Sequence, residues 1–290
     1  MADGPELAVV VISFRAPSGL IAAVRSVLGQ DIPLEIVVVN SGGGNAQALL
    51  ADAGLDVPVI EFEQRLLVGA ARNRGIAATK APFIAFLADD CLACPGWAAA
   101  RLRRHHEGAP AVASAIVNSH PRNLVACAAH LATYMRRLPG LPANKALRYG
   151  VSFDRMLFDR YGLFDEQMGS GEDTEFMVRL PKAMEPLWEP TVLTVHRNET
   201  RLVRLIADQY RRGRRYGAYL RSVEGKKPRR IFRGVFRDRH NVGKLAKEGL
   251  PEKDRRFAML SLPIVWLALF AKSLGAAVGA WHADKESQRP

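Results

Sequence analysis

Two runs of apolar, mostly β-branched residues, Leu-Ala-Val-Val-Val-Ile at 7–12 and Leu-Glu-Ile-Val-Val-Val at 34–39, constrain the fold of this chain more than any other feature. Each is of strand length. Near-continuous apolar strands are buried on both faces, as in a parallel sheet covered by helices. Between the runs, Leu20, Ile21, Val24, Val27 and Leu28 recur at helical spacing, so strand, helix and strand make a βαβ unit. Further strands are expected over 57–62, 82–88 and 112–117. Helices are expected over 66–79 and 124–137, and Pro139-Gly140-Leu141-Pro142 marks a loop. The first ~200 residues therefore read as one α/β domain with a mostly parallel sheet, in which ligands bind outside the carboxyl ends of the strands. Asn40-Ser41-Gly42-Gly43-Gly44 and Asp89-Asp90 both fall at such ends.

Two acidic motifs carry the chemistry. Phe-Leu-Ala-Asp-Asp-Cys at 86–91 puts Asp89 and Asp90 where a buried strand opens into a loop. Carboxylates in that position suit a hard cation such as Mg²⁺ or Mn²⁺, which takes oxygen ligands and shares them with phosphates. A solvated turn is the competing explanation. Gly-Ser-Gly-Glu-Asp-Thr-Glu at 169–175 begins an expected helix and offers Glu172 and Asp173, one of them a candidate general base. The competing explanation is an acidic first turn favoured by the helix dipole. Arg72-Asn73-Arg74-Gly75 precedes the first motif and offers cations for a diphosphate, or else ordinary helix-capping arginines. Cys91 and Cys94 form a Cys-x-x-Cys with no second pair, so zinc lacks ligands and structural cysteines are expected.

In order, these segments resemble family 2 glycosyltransferases of the GT-A fold. The resemblance runs over about residues 7–200. It is carried by Val-Ile-Ser-Phe-Arg at 11–15, Ser-Val-Leu-Gly-Gln at 26–30, the strand from Glu35 to Ser41, and Ala-Arg-Asn-Arg-Gly-Ile-Ala at 71–77. Phe83 to Cys91, Tyr-Gly-Leu-Phe-Asp-Glu at 161–166 and Gly-Glu-Asp-Thr-Glu at 171–175 with Arg179 complete it. The resemblance implies an inverting, metal-dependent transfer of a sugar from a nucleotide-sugar donor to an acceptor hydroxyl. It implies that Ser13 and Phe14 lie at the nucleotide, Asn40 at the edge of its base, and Arg72 and Asp89 on the donor. Asp90 is implied as the main ligand of Mg²⁺ or Mn²⁺, with His196 as a late metal or diphosphate contact. Asp173 becomes the base, supported by Glu172. Two positions depart from the pattern. Ala88 stands where the first Asp of an Asp-x-Asp is usual, and Asn40 replaces an Asp, so a uracil base is not assumed. A nucleotidyltransferase-like enzyme on a related sheet, or a non-catalytic scaffold of the same fold, is the alternative.

Charge divides the chain. From Arg211 to Arg256 there are 17 Lys or Arg against 5 Asp or Glu, which leaves 24 of each sign elsewhere. The expected organisation is a transferase domain over 1–200, a basic helical segment over 201–256, an apolar helix over 257–282 and a polar tail over 283–290. The apolar segment is long enough to cross a bilayer, which takes ~20 residues. Lys272 opposes insertion. Ser261, Ala268, Lys272, Gly275 and Gly279 share one side and suit a second helix, so spanning, lying in the interface, or packing on protein all remain open. Basic residues beside the apolar segment suit anionic headgroups or the cytoplasmic side of a span. The expected location is the cytoplasmic face of the membrane with a lipid-linked or cell-envelope glycan as acceptor; nucleic acid is not expected as a partner, and the polar opening Met-Ala-Asp-Gly-Pro-Glu is not expected to be a secretory leader.

Overall fold

The computed structural model describes residues 4–237 and 239–287, with side chains to residue 283; the end of the expected polar tail lies outside the described residues. The chain forms two compact units, 1–116 with 146–196 and 117–145 with 197–290.

The first unit holds strands β1 (Leu7–Phe14), β2 (Leu34–Ser41), β3 (Val59–Phe62), β4 (Phe83–Ala88), β5 (Cys91–Ala93), β6 (Ala111–Asn118, whose last two residues pass into the second unit), β7 (Ser152–Asp154) and β8 (Leu187–His196). Its helices are α1 (Gly19–Leu28), α2 (Ala46–Asp52), α3 (Val68–Ala77) and α4 (Trp97–His106). In the second unit α5 (Leu124–Tyr134) intervenes, and the first resumes with α6 (Met156–Tyr161) and α7 (Glu172–Arg179). One eight-stranded sheet has the order β3-β2-β1-β4-β7-β6-β8-β5. Its β3-β2-β1-β4 half is parallel, as the apolar runs require. The other half is mixed in, with β7 antiparallel to both β4 and β6, and β5 antiparallel to β8.

The two-residue period of β1 explains why its run does not alternate with polar residues. Leu7, Val9 and Val11 pack with Leu20, Val24 and Val27 of α1 on one face. Ala8 and Val10 pack with Ile76 of α3 and with Phe153, Phe158, Phe164 and Phe176 on the other. Both faces are buried, so both phases of the strand are apolar. The four phenylalanine rings make mutual contacts with centroids 5.0 to 6.3 Å apart. That cluster fixes α7, which contributes Phe176 with no exposure.

His105, in the last turn of α4, is buried, stacked on Phe83 at 4.3 Å, and bonded at both ring nitrogens. Its Nδ1 lies 2.8 Å from Ala109 O, which can only accept, so the proton sits on Nδ1. Nε2 then accepts from Ser152 Oγ at 2.9 Å. Burial pulls the imidazole down from 6.5 to about 4, partly offset by the Ala109 bond. The unfolded chain therefore binds this proton first as pH falls, so stability is present above pH 6.5 and lost between 6.5 and about 4. The shift corresponds to roughly 3 kcal/mol. Denaturation midpoints recorded between pH 7 and pH 4 are expected to fall with acid, and His105→Gln is expected to flatten that slope.

The second unit packs α5 against α8 (Leu202–Glu224), α9 (Pro228–Arg237), α10 (Arg239–Gly249), α11 (Glu252–Leu260) and α12 (Leu262–Ser287). The apolar segment is divided at Ser261. Pro263, which lacks an N–H, stands at the second position of α12, where a helix needs no bond from it. Gly275 and Gly279 do face protein. A Cβ at Gly275 would meet Tyr210 O of α8 and one at Gly279 would meet Arg214 O. Reciprocally, Gly213 and Gly217 of α8 sit against Lys272 O and Ala276 O. Contacts advance in the same sense along both helices, so α8 and α12 run parallel at backbone contact.

Candidate active site

The carboxyl ends of β1, β2 and β4 bring the first group of predicted residues together. Phe14 N–H donates to Asp89 Oδ2 at 3.1 Å, which ties the end of β1 to the acidic motif after β4. Burial pushes the Asp89 carboxyl above its usual range, against the pull of that N–H, and the charge of Asp90 adds to the rise. Phe14 is 43% exposed and its ring lies over Gly42, where any Cβ would strike it. The guanidinium carbons of Arg15 and Arg65 stand 5.1 and 5.3 Å from the ring centroid. Ser13 is buried beside them, in register with Asn40.

Asn40, expected at a base edge, is fully buried and its amide is used within the protein. Nδ2 donates to Glu61 Oε2 at 2.8 Å and to Gly43 O at 3.1 Å, and Oδ1 accepts from Ala16 N at 3.0 Å. The parallel register of β2 and β3 sets Asn40 directly opposite Glu61. One side chain thus holds two loops in unusual backbone conformations: Arg15 and Ala16 with φ of 62° and 43°, and Gly42 to Gly44 with φ near 80°. An Asp at this position would face Glu61 as a like charge, and it lacks the N–H groups that Asn40 donates. Glu61 is a residue the sequence pattern did not single out. It matters only through a strand pairing.

The second group is built by strand register. β5 and β8 pair with Cys91 opposite His196, which brings His196 Nε2 to 3.3 Å from Asp90 Oδ2. Asp90, Cys91 and His196 each present one ligand atom, all within 4.8 Å of one another. The Asp90 side chain is 49% exposed and that of His196 is 11% exposed, so the pair opens to one side. Cys91 Sγ donates to Asp90 Oδ1 at 3.4 Å. The cysteine thereby supports a carboxylate in this cluster, a role that its spacing to Cys94 did not indicate. Neither Cys91 nor Cys94 is in a disulfide among the described residues.

The third group surrounds the start of α7. Arg72 Nη1 donates to Glu172 Oε1 at 3.0 Å, with side chains 19% and 9% exposed. The same guanidinium lies over the rings of Phe86 and Phe164 at 5.3 and 5.1 Å. Phe86 belongs to β4, so Arg72 links the strand bearing the first acidic motif to the helix bearing the second. Every residue of Arg72-Asn73-Arg74-Gly75 is engaged. Asn73 exchanges bonds with Phe164 O and N and donates to Glu166. Arg74 pairs with Glu166, and Gly75 lets α3 approach Val10 of β1.

Asp173 lies beside Glu172 but is held differently. Its Oδ1 accepts from Thr174 N at 2.8 Å, and Thr174 Oγ1 meets Tyr149 Oη at 3.0 Å. Gly171, in the left-handed region with φ of 92°, caps the helix and turns the chain sharply into it. Of the two adjacent carboxylates, Glu172 is neutralised by an arginine, and among the described residues Asp173 has only backbone and hydroxyl partners.

The family model for glycosyl transferase family 2 matches residues 8–157. Pre-mycofactocin glycosyltransferases from two strains of Mycobacterium tuberculosis, CDC 1551 / Oshkosh and ATCC 25618 / H37Rv, are each 30% identical over 212 residues, 68% of this chain and 44% of theirs. The chain thus spans less than half the length of these relatives. Among solved structures, the mannosyltransferase PcManGT from Pyrobaculum calidifontis, in complex with GDP-Man and Mn2+, matches with a TM-score of 0.52 at 15% identity. That match covers 100% of this chain and 77% of the other, and at such identity it speaks to the fold, which is GT-A. With the family model matching more than half of its length, the chain belongs to glycosyl transferase family 2.

Proposed function

We propose that this chain is a metal-dependent, inverting glycosyltransferase that moves a sugar from a nucleotide-sugar donor to an acceptor hydroxyl. The observation that carries the reading is the β5–β8 register, which sets His196 against Asp90 at the carboxyl end of β4. A carboxylate oxygen and an imidazole nitrogen suit Mn²⁺, or Mg²⁺ with oxygens of the donor completing the shell. Asp90 and His196 would hold the ion, and Cys91 would orient Asp90. When bound, the metal neutralises charge on the leaving nucleoside diphosphate.

The remaining roles belong to the protein. The exposed face of Phe14 and the Gly42–Gly44 loop receive the base, and Asn40 acts on it only through the loops that it holds. Asp89, bonded to Phe14 N–H, stands in for the carboxylate missing at Ala88. Arg72 keeps a buried Nε–H without a hydrogen-bond partner among the described residues, and this group is a donor for the diphosphate. Asp173 removes the proton of the acceptor hydroxyl, on the face of the sugar opposite the leaving group, and this accounts for inversion. Glu172 fixes Arg72. The acceptor is a lipid-linked or cell-envelope glycan and the enzyme works at the cytoplasmic face of a membrane; the basic charge and apolar α12 of the second unit support this.

A panel of nucleotide sugars, tested with Mn²⁺ or Mg²⁺ and again with chelator, is the direct test. At a donor concentration 100 times its Kd, stabilisation of about 2.7 kcal/mol is expected. It should depend on metal, and Asp90→Ala and His196→Ala should each remove the metal-dependent part. Stabilisation by a nucleoside triphosphate with release of pyrophosphate would instead identify a nucleotidyltransferase.

A further inference from the structure

Among the described residues, the second unit presents a long apolar surface to solvent. On α12, Trp266, Leu267, Phe270, Leu274 and Trp281 are each between 45% and 49% exposed. Their spacing places them on one side of the helix, as a stripe about 22 Å long. The opposite side is buried, through Val265, Ala268, Leu269, Ala276 and Ala280. Single exposed apolar residues are ordinary, but a contiguous stripe with tryptophan at both ends marks an interaction surface.

A cationic ledge borders that stripe. Phe232 and Phe236 of α9 each meet Phe270 edge-on at 5.9 Å. From the same short helix Arg229, Arg230, Arg233 and Arg237 project into solvent, and α9 contains no acidic residue. Apolar side chains next to a row of exposed arginines complement the boundary of an anionic bilayer, where acyl chains meet phosphates.

Length and composition alone would allow α12 to cross a membrane. Its attachment to α8 opposes this. Gly213 and Gly217 hold the two helices together at backbone contact, and Arg211, Arg212, Arg214 and Arg215 occupy the same stretch of α8. If α12 crossed, α8 would have to carry those four arginines into hydrocarbon or separate from its partner.

We infer that this unit docks on an anionic lipid surface with α12 lying in the plane of the interface, its Trp266–Trp281 stripe in the acyl boundary and the α9 arginines at the headgroups. The inference rests on the membrane location proposed above and specifies how the chain meets the membrane.

Flotation of the full chain with vesicles of phosphatidylcholine, with and without phosphatidylglycerol, followed by a carbonate wash, tests it. Binding is expected with phosphatidylglycerol, weaker binding without it, and release by carbonate. Replacing Arg229, Arg230 and Arg233 with Gln, all at exposed positions, should weaken partition onto anionic vesicles about 100-fold, or about fivefold per arginine. Leu274→Glu should weaken binding to both kinds of vesicle while circular dichroism shows the helices intact. Retention on vesicles after carbonate would overturn the in-plane arrangement and leave the membrane location standing. Failure to bind either vesicle would overturn both. So would a dimer seen by light scattering that Leu274→Glu dissolves, because the stripe would then belong to a second copy of the chain.

Discussion

Asp173→Asn is expected to lower turnover by roughly 10²- to 10⁴-fold, the usual contribution of a positioned general base, while donor-induced thermal stabilisation stays at the wild-type level. The geometry separates Asp173 from its neighbour. Glu172 is nearly buried and paired with Arg72, so it cannot accept a proton without giving up an ion pair. Asp173 Oδ1 is held by Thr174 N, which orients the carboxylate, and Oδ2 makes no hydrogen bond among the described residues. Asparagine keeps the oxygen that Thr174 needs, so the first turn of α7 survives. Phe176 remains in the aromatic cluster, and the fold is not at risk. What the substitution removes is basicity alone. Glu172→Gln should behave differently, because it weakens the grip on Arg72, and its effect should extend to donor affinity and thermal stability. A variant Asp173→Asn that turned over at the wild-type rate would show that the base is elsewhere.

The contrast between Glu172 and Asp173 also shows what the sequence could convey. The parallel half of the sheet was legible because β1 and β2 are apolar in both phases, which only burial on two faces produces. The positions of Asp90 and Asp173 were legible as well, since a strand end and a glycine-led helix start are local features. Partners were not. Arg72-Asn73-Arg74-Gly75 reads equally well as a phosphate cradle or a set of caps. In the fold, three of the four side chains or their absence serve to fasten α3 to β1 and to the segment before α7. Arg72 instead pairs with Glu172 and keeps a buried Nε–H that has no hydrogen-bond partner among the described residues.

The resemblance implied that Asp90 and His196 share a metal, but local reasoning could not show how they converge, for a related cause. It depends on the pairing of β5 with β8, and β5 is three residues long, too short to show any period. β7 is equally short and joins β6 to β4 without a pattern of its own. The role of Asn40 was hidden in the same way, because its partner Glu61 is reached across a strand pair. The residues that carry charge were visible in the sequence, whereas the non-local pairings that determine their neighbours were not.

Gly217→Ala is expected to destabilise the second unit by about 3 kcal/mol, at the upper end of what overpacking a close contact costs, and Gly217→Val by more. Ordinarily the first substitution would do the reverse. Alanine is favoured over glycine in a helix interior by about 1 kcal/mol, and Gly217 lies well inside α8. Gly234 of α9 provides the comparison, since a Cβ there would meet nothing within 4 Å. Gly234→Ala should therefore stabilise by up to about 1 kcal/mol. At Gly217 a Cβ would fall 1.9 Å from Ala276 O, and at Gly213 it would fall 2.0 Å from Lys272 O. Both obstacles are main-chain atoms of α12, which cannot rotate aside as a side chain would. The helices must move apart, and the cluster of Leu220, Ile231, Val235, Ala276 and Ala280 that they close opens with them. Chemical denaturation followed by far-ultraviolet circular dichroism would register the two alanine variants with opposite signs. Because the residues proposed to hold the donor all lie in the first unit, Gly217→Ala is expected to keep metal-dependent stabilisation by the nucleotide sugar. If Gly217→Ala and Gly234→Ala stabilised alike, α8 and α12 would not be in backbone contact, and α12 could cross a membrane without drawing the α8 arginines into it.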